Sequence, residues 1–400
     1  MTSSARCAKT PDGELWVPNG ALGYDFWARH FDPYEKVALL VRAHRATAPP
    51  AGWEQVTGRR VRAIPVPDFH TPLELPRVYT TVRGIVRDAL AHARVLHLRA
   101  PCFLANVVYD LLPTGRPFGV EVIGDPYDVF SSSAFPRGVR YFYRSWFARR
   151  LHQQCSSASA VAYVTEERLQ TRYPPRSDAF VACLSDVYLP EEAMSGGFRQ
   201  LSTVPAPITV VTVGSLDQLY KGVDVLIDAV AECCRRSFDV RLAVVGDGRH
   251  RAELQQRALR LGIASRVRFL GQLPAGRPVR DVFDSADLFV LASLTEGLPK
   301  AMLEAMARGL PCIGSSVGGI PELLSADDLV PPADHIALAE KIMAVARPDR
   351  LTEMSKRNRK TADAYGARVL EARRREFHRF MIERTSAWLE RQPAAGSGRG

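Results

Sequence analysis

Two carboxylates, Glu296 and Glu304, stand with seven residues between them in the stretch Leu291 to Glu322, LASLTEGLPKAMLEAMARGLPCIGSSVGGIPE. The turn Thr295-Glu296-Gly297-Leu298-Pro299 leads into a run predicted to be helical from Pro299 to Arg308. Proline suits the first helical position, and Gly309 and Pro311 stop the helix. Glu304 falls inside that run, roughly 7–8 Å from its start at about 1.5 Å of rise per residue. The exposed N–H groups at a helix start favour an anion such as a phosphate. A ligand with phosphate there could set a diol against Glu304. Pyrophosphate, ribose and hexose in a row, as in a nucleotide-diphospho-sugar, have that layout. Taken singly, Glu304 reads as a solvated helix residue and Glu296 as a loop charge. Strand, turn, proline, glutamate and the following Gly318-Gly319-Ile320-Pro321-Glu322 occurring together favour a site.

A second candidate lies upstream, in Gly214-Ser215-Leu216-Asp217-Gln218-Leu219-Tyr220-Lys221-Gly222, between an apolar strand and an amphipathic helix. Gly214 lets the backbone approach a ligand, and Lys221 can present a point charge to a diphosphate. A lone lysine near a helix start is usually just a solvated charge, so the reading depends on the neighbouring motif. Gly246-Asp247-Gly248 and Phe269-Leu270-Gly271 each follow an apolar strand and are weak signals alone.

The segment around Glu296 and Glu304 resembles the E-x7-E signature of the retaining glycosyltransferases of family four, which have the GT-B fold. The Gly214–Gly222 loop is similar to that family's G-[RS]-L-x(3–4)-K-G phosphate site. The resemblance implies two Rossmann-like, doubly wound α/β domains facing a central cleft. It implies a nucleotide-diphospho-sugar donor held by Gly214, Ser215, Lys221, Gly246, Leu270, Glu296, Gly297, Leu298, Pro299, Lys300 and Glu304. Glu304 would take the ribose, Lys221 the diphosphate, and Glu296 with the Gly297–Lys300 backbone the hexose. Glu296, Lys221 and Asp125 become the candidate catalytic residues. Transfer would retain the anomeric configuration, with Lys221 and the helix start stabilising the departing diphosphate. No metal and no further cofactor is expected. Many relatives carry an arginine where Ser215 stands, which removes one cation here. Many also carry a histidine after the strand that ends at Ile123, where this chain has Asp125.

Elements able to position these groups alternate along the whole chain. Val37–Ala43, Val61–Pro67, the run from Ala93, Phe118–Ile123 and Ala158–Thr165 read as strands. Leu73–Ala93, Asn106–Leu112 and Glu166–Tyr173 read as helices. Strands alternating with helices predict a parallel sheet, whose ligands sit beyond the carboxyl ends of the strands. Asp125, Asp128 and Arg99 fall near such ends and are the candidate acceptor contacts, with Gly20 and Gly23 of an early glycine loop. A plain helix-capping turn is the alternative for Asp125 and Asp128. Before that loop only SSARCA and ELWV offer a first strand, and both are poor. A second alternating series starts at Ile208. The expected division is an acceptor domain over 1–190, a linker over 191–207 and a donor domain over 208–365. A helix over 366–392 would cross back to the first domain, ahead of a disordered tail over 393–400.

Four hundred residues suit two domains. With 46% hydrophobic and 24% charged residues the composition is that of a globular protein. No apolar window is long enough for a membrane span, and the N-terminus lacks the apolar core of a secretory signal. The seven cysteines form no C-x-x-C pair and read as reduced thiols. A net charge of +10 suggests an anionic partner. No nucleic-acid module is recognisable, so nucleic acid is not the expected partner. RGVRYFYRSWFARR, residues 137–150, joins arginines to aromatics and suits a helix in an anionic headgroup layer. A surface helix packing its aromatics on its own sheet is the alternative. The expected partners are therefore a nucleotide-sugar and a saccharide or lipid-linked acceptor, in a cytoplasmic protein with peripheral contact at the inner face of the cell membrane held open. Rival readings are a sugar-nucleotide-binding protein without catalysis and a GT-B epimerase or phosphorylase. A dehydrogenase is disfavoured by the lack of a G-x-G-x-x-G after a strand.

Overall fold

The computed structural model describes residues 1–18, 22–69, 74–129, 137–194, 196–204 and 206–392. Gly20 and the expected tail over 393–400 lie outside them. Two compact units emerge. One takes in the described residues up to Leu184 together with those from Glu371 on, and the other runs from Ser185 to Leu370.

In the first unit the opening residues do form a strand. β1 (Thr2–Lys9) turns back through β2 (Leu15–Pro18) as an antiparallel pair. SSARCA, a poor strand by its sequence alone, thus lies within a strand of 8 residues. β1 is central to its sheet, pairing in parallel with β3 (Val37–Arg45), so backbone bonding to both neighbours overrides a weak local preference. β4 (Trp53–Gln55) and β5 (Val61–Pro67) complete the order β4-β2-β1-β3-β5. A second, all-parallel sheet holds β6 (His97–Ala100), β7 (Gly119–Val122), β8 (Ala160–Tyr163) and β9 (Phe180–Cys183), in that order. Thr2 links the sheets: the Arg99 amide donates to its hydroxyl at 2.9 Å. β6, β7 and β8 are buried at every position, as strands covered on both faces must be. The last helix, Ala367–Glu390, sets Phe377 and Met381 into the core beside Ala160, Ala162 and Leu184.

The second unit is one parallel sheet of β10 (Ile208–Val213), β11 (Val240–Val245), β12 (Val267–Gly271), β13 (Leu288–Leu291), β14 (Cys312–Ser315) and β15 (Leu329–Val330). Its order, β12-β11-β10-β13-β14-β15, is that of a Rossmann sheet, 3-2-1-4-5-6. The chain reverses direction of travel between β10 and β13. At such a switch point, beyond the carboxyl ends of the strands, doubly wound sheets have the crevice in which they bind ligands. The helix after β13 spans Lys300–Ala307, and Pro299 is its extended N-cap at φ −74°, ψ 107° rather than its first helical residue. Met302, Leu303, Ala305 and Met306 are buried beneath it, and Glu304 faces the other way, half-buried.

Candidate functional site

The loops leaving β10 and β13 bring together groups that are far apart in the chain. Lys221 Nζ donates to Glu296 Oε1 at 2.6 Å, in an ion pair whose side chains are 17% and 7% exposed. Ser293 Oγ donates to the same oxygen at 2.7 Å. No hydrogen bond reaches Glu296 Oε2 among the described residues. One carboxylate oxygen thus takes both donors, and the other takes none among the described residues.

Close backbone approach explains the glycines around the pair. Gly222 sits at φ +65°, and a Cβ there would lie 1.9 Å from the Ala292 carbonyl oxygen. Gly318 sits at φ +56°, and its Cβ would meet the Glu296 carbonyl oxygen at 2.0 Å. Both positions need a residue without a side chain. The loops are also tied by backbone bonds, Leu294 N to Tyr220 O at 2.7 Å and Gly319 N to Gly297 O at 2.7 Å. Gly297 and Leu298 are half-buried, Pro299 is buried and Lys300 is exposed.

Gly214 lies under the Lys221 side chain, with its hypothetical Cβ 3.2 Å from Lys221 Cγ. Ser215 spends its hydroxyl locally, donating to Asp217 Oδ2 at 3.0 Å and accepting from the Asp217 amide at 3.2 Å. Arg249 Nε closes on the Asp217 carbonyl at 2.6 Å, fixing the loop from the β11 side. The Gly246 amide donates to Gly271 O at 2.8 Å, which sets the β11 and β12 ends, including half-buried Leu270, side by side.

Glu304 makes no hydrogen bond or ion pair among the described residues. Burial raises its carboxyl above the ordinary range, and the nearby charges of Lys300 and Arg280 only partly offset that. A half-buried carboxylate left without a donor is costly.

The candidates of the first unit are built differently. Asp125 is buried and already engaged. Tyr173 Oη donates to its Oδ1 at 2.7 Å, the Tyr127 amide donates to the same oxygen at 2.9 Å, and Arg172 pairs with Oδ2. The Asp128 amide donates to the Asp125 carbonyl at 2.9 Å, in the short helix Pro126–Val129. Arg99 lies within β6, buried, with Nη1 donating to Glu121 Oε2 at 3.1 Å. Gly23 is the extended N-cap of the helix Tyr24–His30.

Sequence reading missed Ser293 and the buried group around Glu121. Ser293 stands three residues before Glu296 at a strand end, and that position is the one signal it offers. Among the described residues no cluster of three or more metal-ligating side chains occurs.

Residues 207–347 match the family model described as glycosyl transferases group 1. The chain is 26% identical over 310 residues to a phosphatidylinositol N-acetylglucosaminyltransferase component of Arabidopsis thaliana, a match covering 76% of this chain and 66% of that protein. Among solved structures it resembles sucrose-phosphate synthase from Thermosynechococcus elongatus, with TM-score 0.68, 18% identity and coverage of 95% of this chain and 99% of that one. It also resembles HepE from Anabaena in complex with UDP-glucose, with TM-score 0.60, 18% identity and coverage of 94% and 99%. The structural neighbours establish the GT-B fold. The Arabidopsis relative is spanned over about two thirds of its length, and the family match itself falls within the second unit.

Proposed function

We propose that this protein is a retaining glycosyltransferase that moves a hexose from a nucleotide-diphospho-sugar to an acceptor in glycan or glycoconjugate synthesis. The observation that carries the reading is the crevice beside β10 and β13. It offers a cation on Lys221, a free oxygen on Glu296 and an unpartnered carboxylate on Glu304. In this reading Lys221 meets the diphosphate, Glu296 Oε2 and the Gly297–Lys300 backbone meet the hexose, and Glu304 takes the ribose hydroxyls. As the glycosidic bond breaks, charge grows on the diphosphate oxygen, and Lys221 and the start of the helix Lys300–Ala307 stabilise it. UDP-glucose in HepE and the N-acetylglucosaminyl transfer named for the Arabidopsis relative support a UDP-hexose. The acceptor belongs to the first unit, near Gly23 and Asp128, with Asp125 bracing the turn from β7 to Asp128.

A screen of UDP-, GDP- and TDP-sugars, read by thermal shift and by release of free nucleotide, tests this. One sugar nucleotide should stabilise the protein and be turned over when acceptor is supplied. Stabilisation without hydrolysis or transfer across an acceptor panel would instead favour a binding protein. Free sugar or sugar phosphate as sole product would favour the epimerase or phosphorylase reading.

On the acceptor side we propose peripheral contact with an anionic bilayer. The helix Arg137–Ser157 leaves Phe142 64% and Tyr141 59% exposed, and Arg149, two turns further on, has no hydrogen bond or ion pair among the described residues. Exposed aromatics with a free cation fit a headgroup layer. Among the described residues no helix is long and apolar enough to cross a membrane. The protein should co-sediment with phosphatidylglycerol vesicles at low salt and not with phosphatidylcholine vesicles. If it stays in the supernatant with both, a soluble acceptor is the better reading.

A further inference from the structure

Glu296 is not held by its ion pair alone. Ser293 is fully buried at the end of β13, and its hydroxyl donates to Glu296 Oε1, the oxygen that also takes Lys221. Ser293 is itself fixed. The hydroxyl of Ser315, also fully buried in β14, donates to the Ser293 carbonyl oxygen and lies 3.4 Å from that of Leu291. Four groups therefore stand in series, Ser315, Ser293, Glu296 and Lys221, running from the sheet interior to the crevice. A buried hydroxyl with one charged acceptor has a directional job, because a bond to an ionised group is short, strong and geometrically demanding.

We infer that Ser293 is a positioning residue. It pins Oε1 of Glu296, which sets where the Lys221 ammonium stands and turns Oε2 outward. Ser293 touches no ligand in this scheme and acts only through Glu296. The inference deepens the donor-site reading above and rests on it for its catalytic consequence, but not for its structural one. The ion pair exists whatever the site binds.

The test uses two readouts on the full chain. The first needs no donor: the acetylation rate of Lys221 by acetic anhydride, mapped by mass spectrometry and normalised to exposed Lys360. Ser293→Ala should speed Lys221 labelling about threefold, since the pair loses its fixed partner. Ser293→Cys keeps nearly the same volume but donates weakly, so it should follow Ser293→Ala and not wild type. The second readout is kcat/KM for the donor found in the screen. Ser293→Ala should lower it about tenfold, and the same substitution made on top of Glu296→Ala should cost nothing more. Wild-type labelling in Ser293→Cys, or losses that add in the double variant, would overturn the inference. Altered labelling in a protein that turns over no sugar nucleotide would keep the positioning role and remove the transferase reading.

Discussion

His30 and Glu121, 91 positions apart, meet at 3.1 Å between Nε2 and Oε2 in the interior of the first unit. Arg99 Nη1 reaches the same oxygen at 3.1 Å, so one carboxylate ties the helix Tyr24–His30 to β6 and β7. Tyr34 Oη lies 2.8 Å from His97 Nε2, and His378 Nε2 lies 2.8 Å from the His30 carbonyl oxygen, which brings in the last helix. Burial alone would raise the Glu121 carboxyl, but the charges of His30 and Arg99 bring it well below the usual carboxylate range. Burial lowers His97 well below the histidine range and His378 to about 4.

The sign of the resulting pH dependence is set by which state takes protons first. His378 stays neutral in the fold down to about pH 4, whereas an unfolded histidine protonates near 6.5. Between those values only the unfolded state gains the proton, so stability falls by about 3 kcal/mol as the pH drops through the window. The depressed Glu121 carboxyl acts in the same direction at lower pH, because its contribution is present above the unfolded carboxyl value and lost on acidification below it. Thermal midpoints from pH 7 to 4 should decline, and His378→Gln should flatten the slope between 6.5 and 4. Parallel slopes in the two proteins would disconnect His378 from acid sensitivity.

Glu304 should show opposite effects on stability and on binding. Its raised carboxyl means that the fold resists its ionisation, so the neutral side chain of Glu304→Gln should raise the melting temperature of the unliganded protein. Donor affinity should move the other way, since a charged acceptor to ribose hydroxyls contributes about 1.5–3 kcal/mol. Calorimetry should find the nucleotide bound at least tenfold more weakly. Unchanged affinity in the folded variant would take Glu304 out of the ribose site.

Lys221 is the one cationic residue in the sequence of the Gly214–Gly222 loop. Lys221→Ala should lose turnover by a hundredfold or more, on the order of 3 kcal/mol of transition-state stabilisation. Lys221→Arg should lose less. Single-turnover rates separate the two, and wild-type turnover in Lys221→Ala would end the role.

The glycosidic linkage formed should keep the anomeric configuration of the donor. The coupling constant of the new anomeric proton, read by NMR, reports it directly. An inverted signal would overturn the retaining reading.

Gly222→Ala should be among the most damaging small substitutions in the second unit. Its Cβ would overlap the Ala292 carbonyl oxygen, and a left-handed backbone adds strain for any L side chain. Lower stability together with weaker donor binding is expected from chemical denaturation and calorimetry. Unaltered values for both would mean that the two loops separate without cost.

The long periodic stretches are readable because their pattern is local. Apolar runs such as Leu288–Leu291 and Ile208–Val213 are strands buried by covering layers, and the Lys300–Ala307 helix follows from Pro299 and Gly309. β1 is not readable, since a polar, small-residue segment becomes a strand only through two neighbours that supply its partners. The helices His335–Val345 and Pro348–Asp363 carry no motif that marks them out. At the site, residue types and spacing suggest Glu296, Glu304 and Lys221 one by one. That Lys221 and Glu296 form an ion pair across 75 positions depends on the reversal of strand order, which no local pattern encodes. The joining of His30, His97, Glu121 and His378 is equally non-local.

The last helix returns to the first unit, and this inverts the order in which the chain can fold during synthesis. Phe377 and Met381 close the face of the sheet that carries Ala160 and Ala162, yet they are made only after the second unit. The first unit begins leaving the ribosome before the second but cannot be finished until the second has emerged whole. Until then its parallel sheet waits with an apolar face uncovered, which is the kind of surface that recruits chaperones. A premature stop anywhere between Leu370 and Phe377 would spare the complete second unit and still leave the first unfinished.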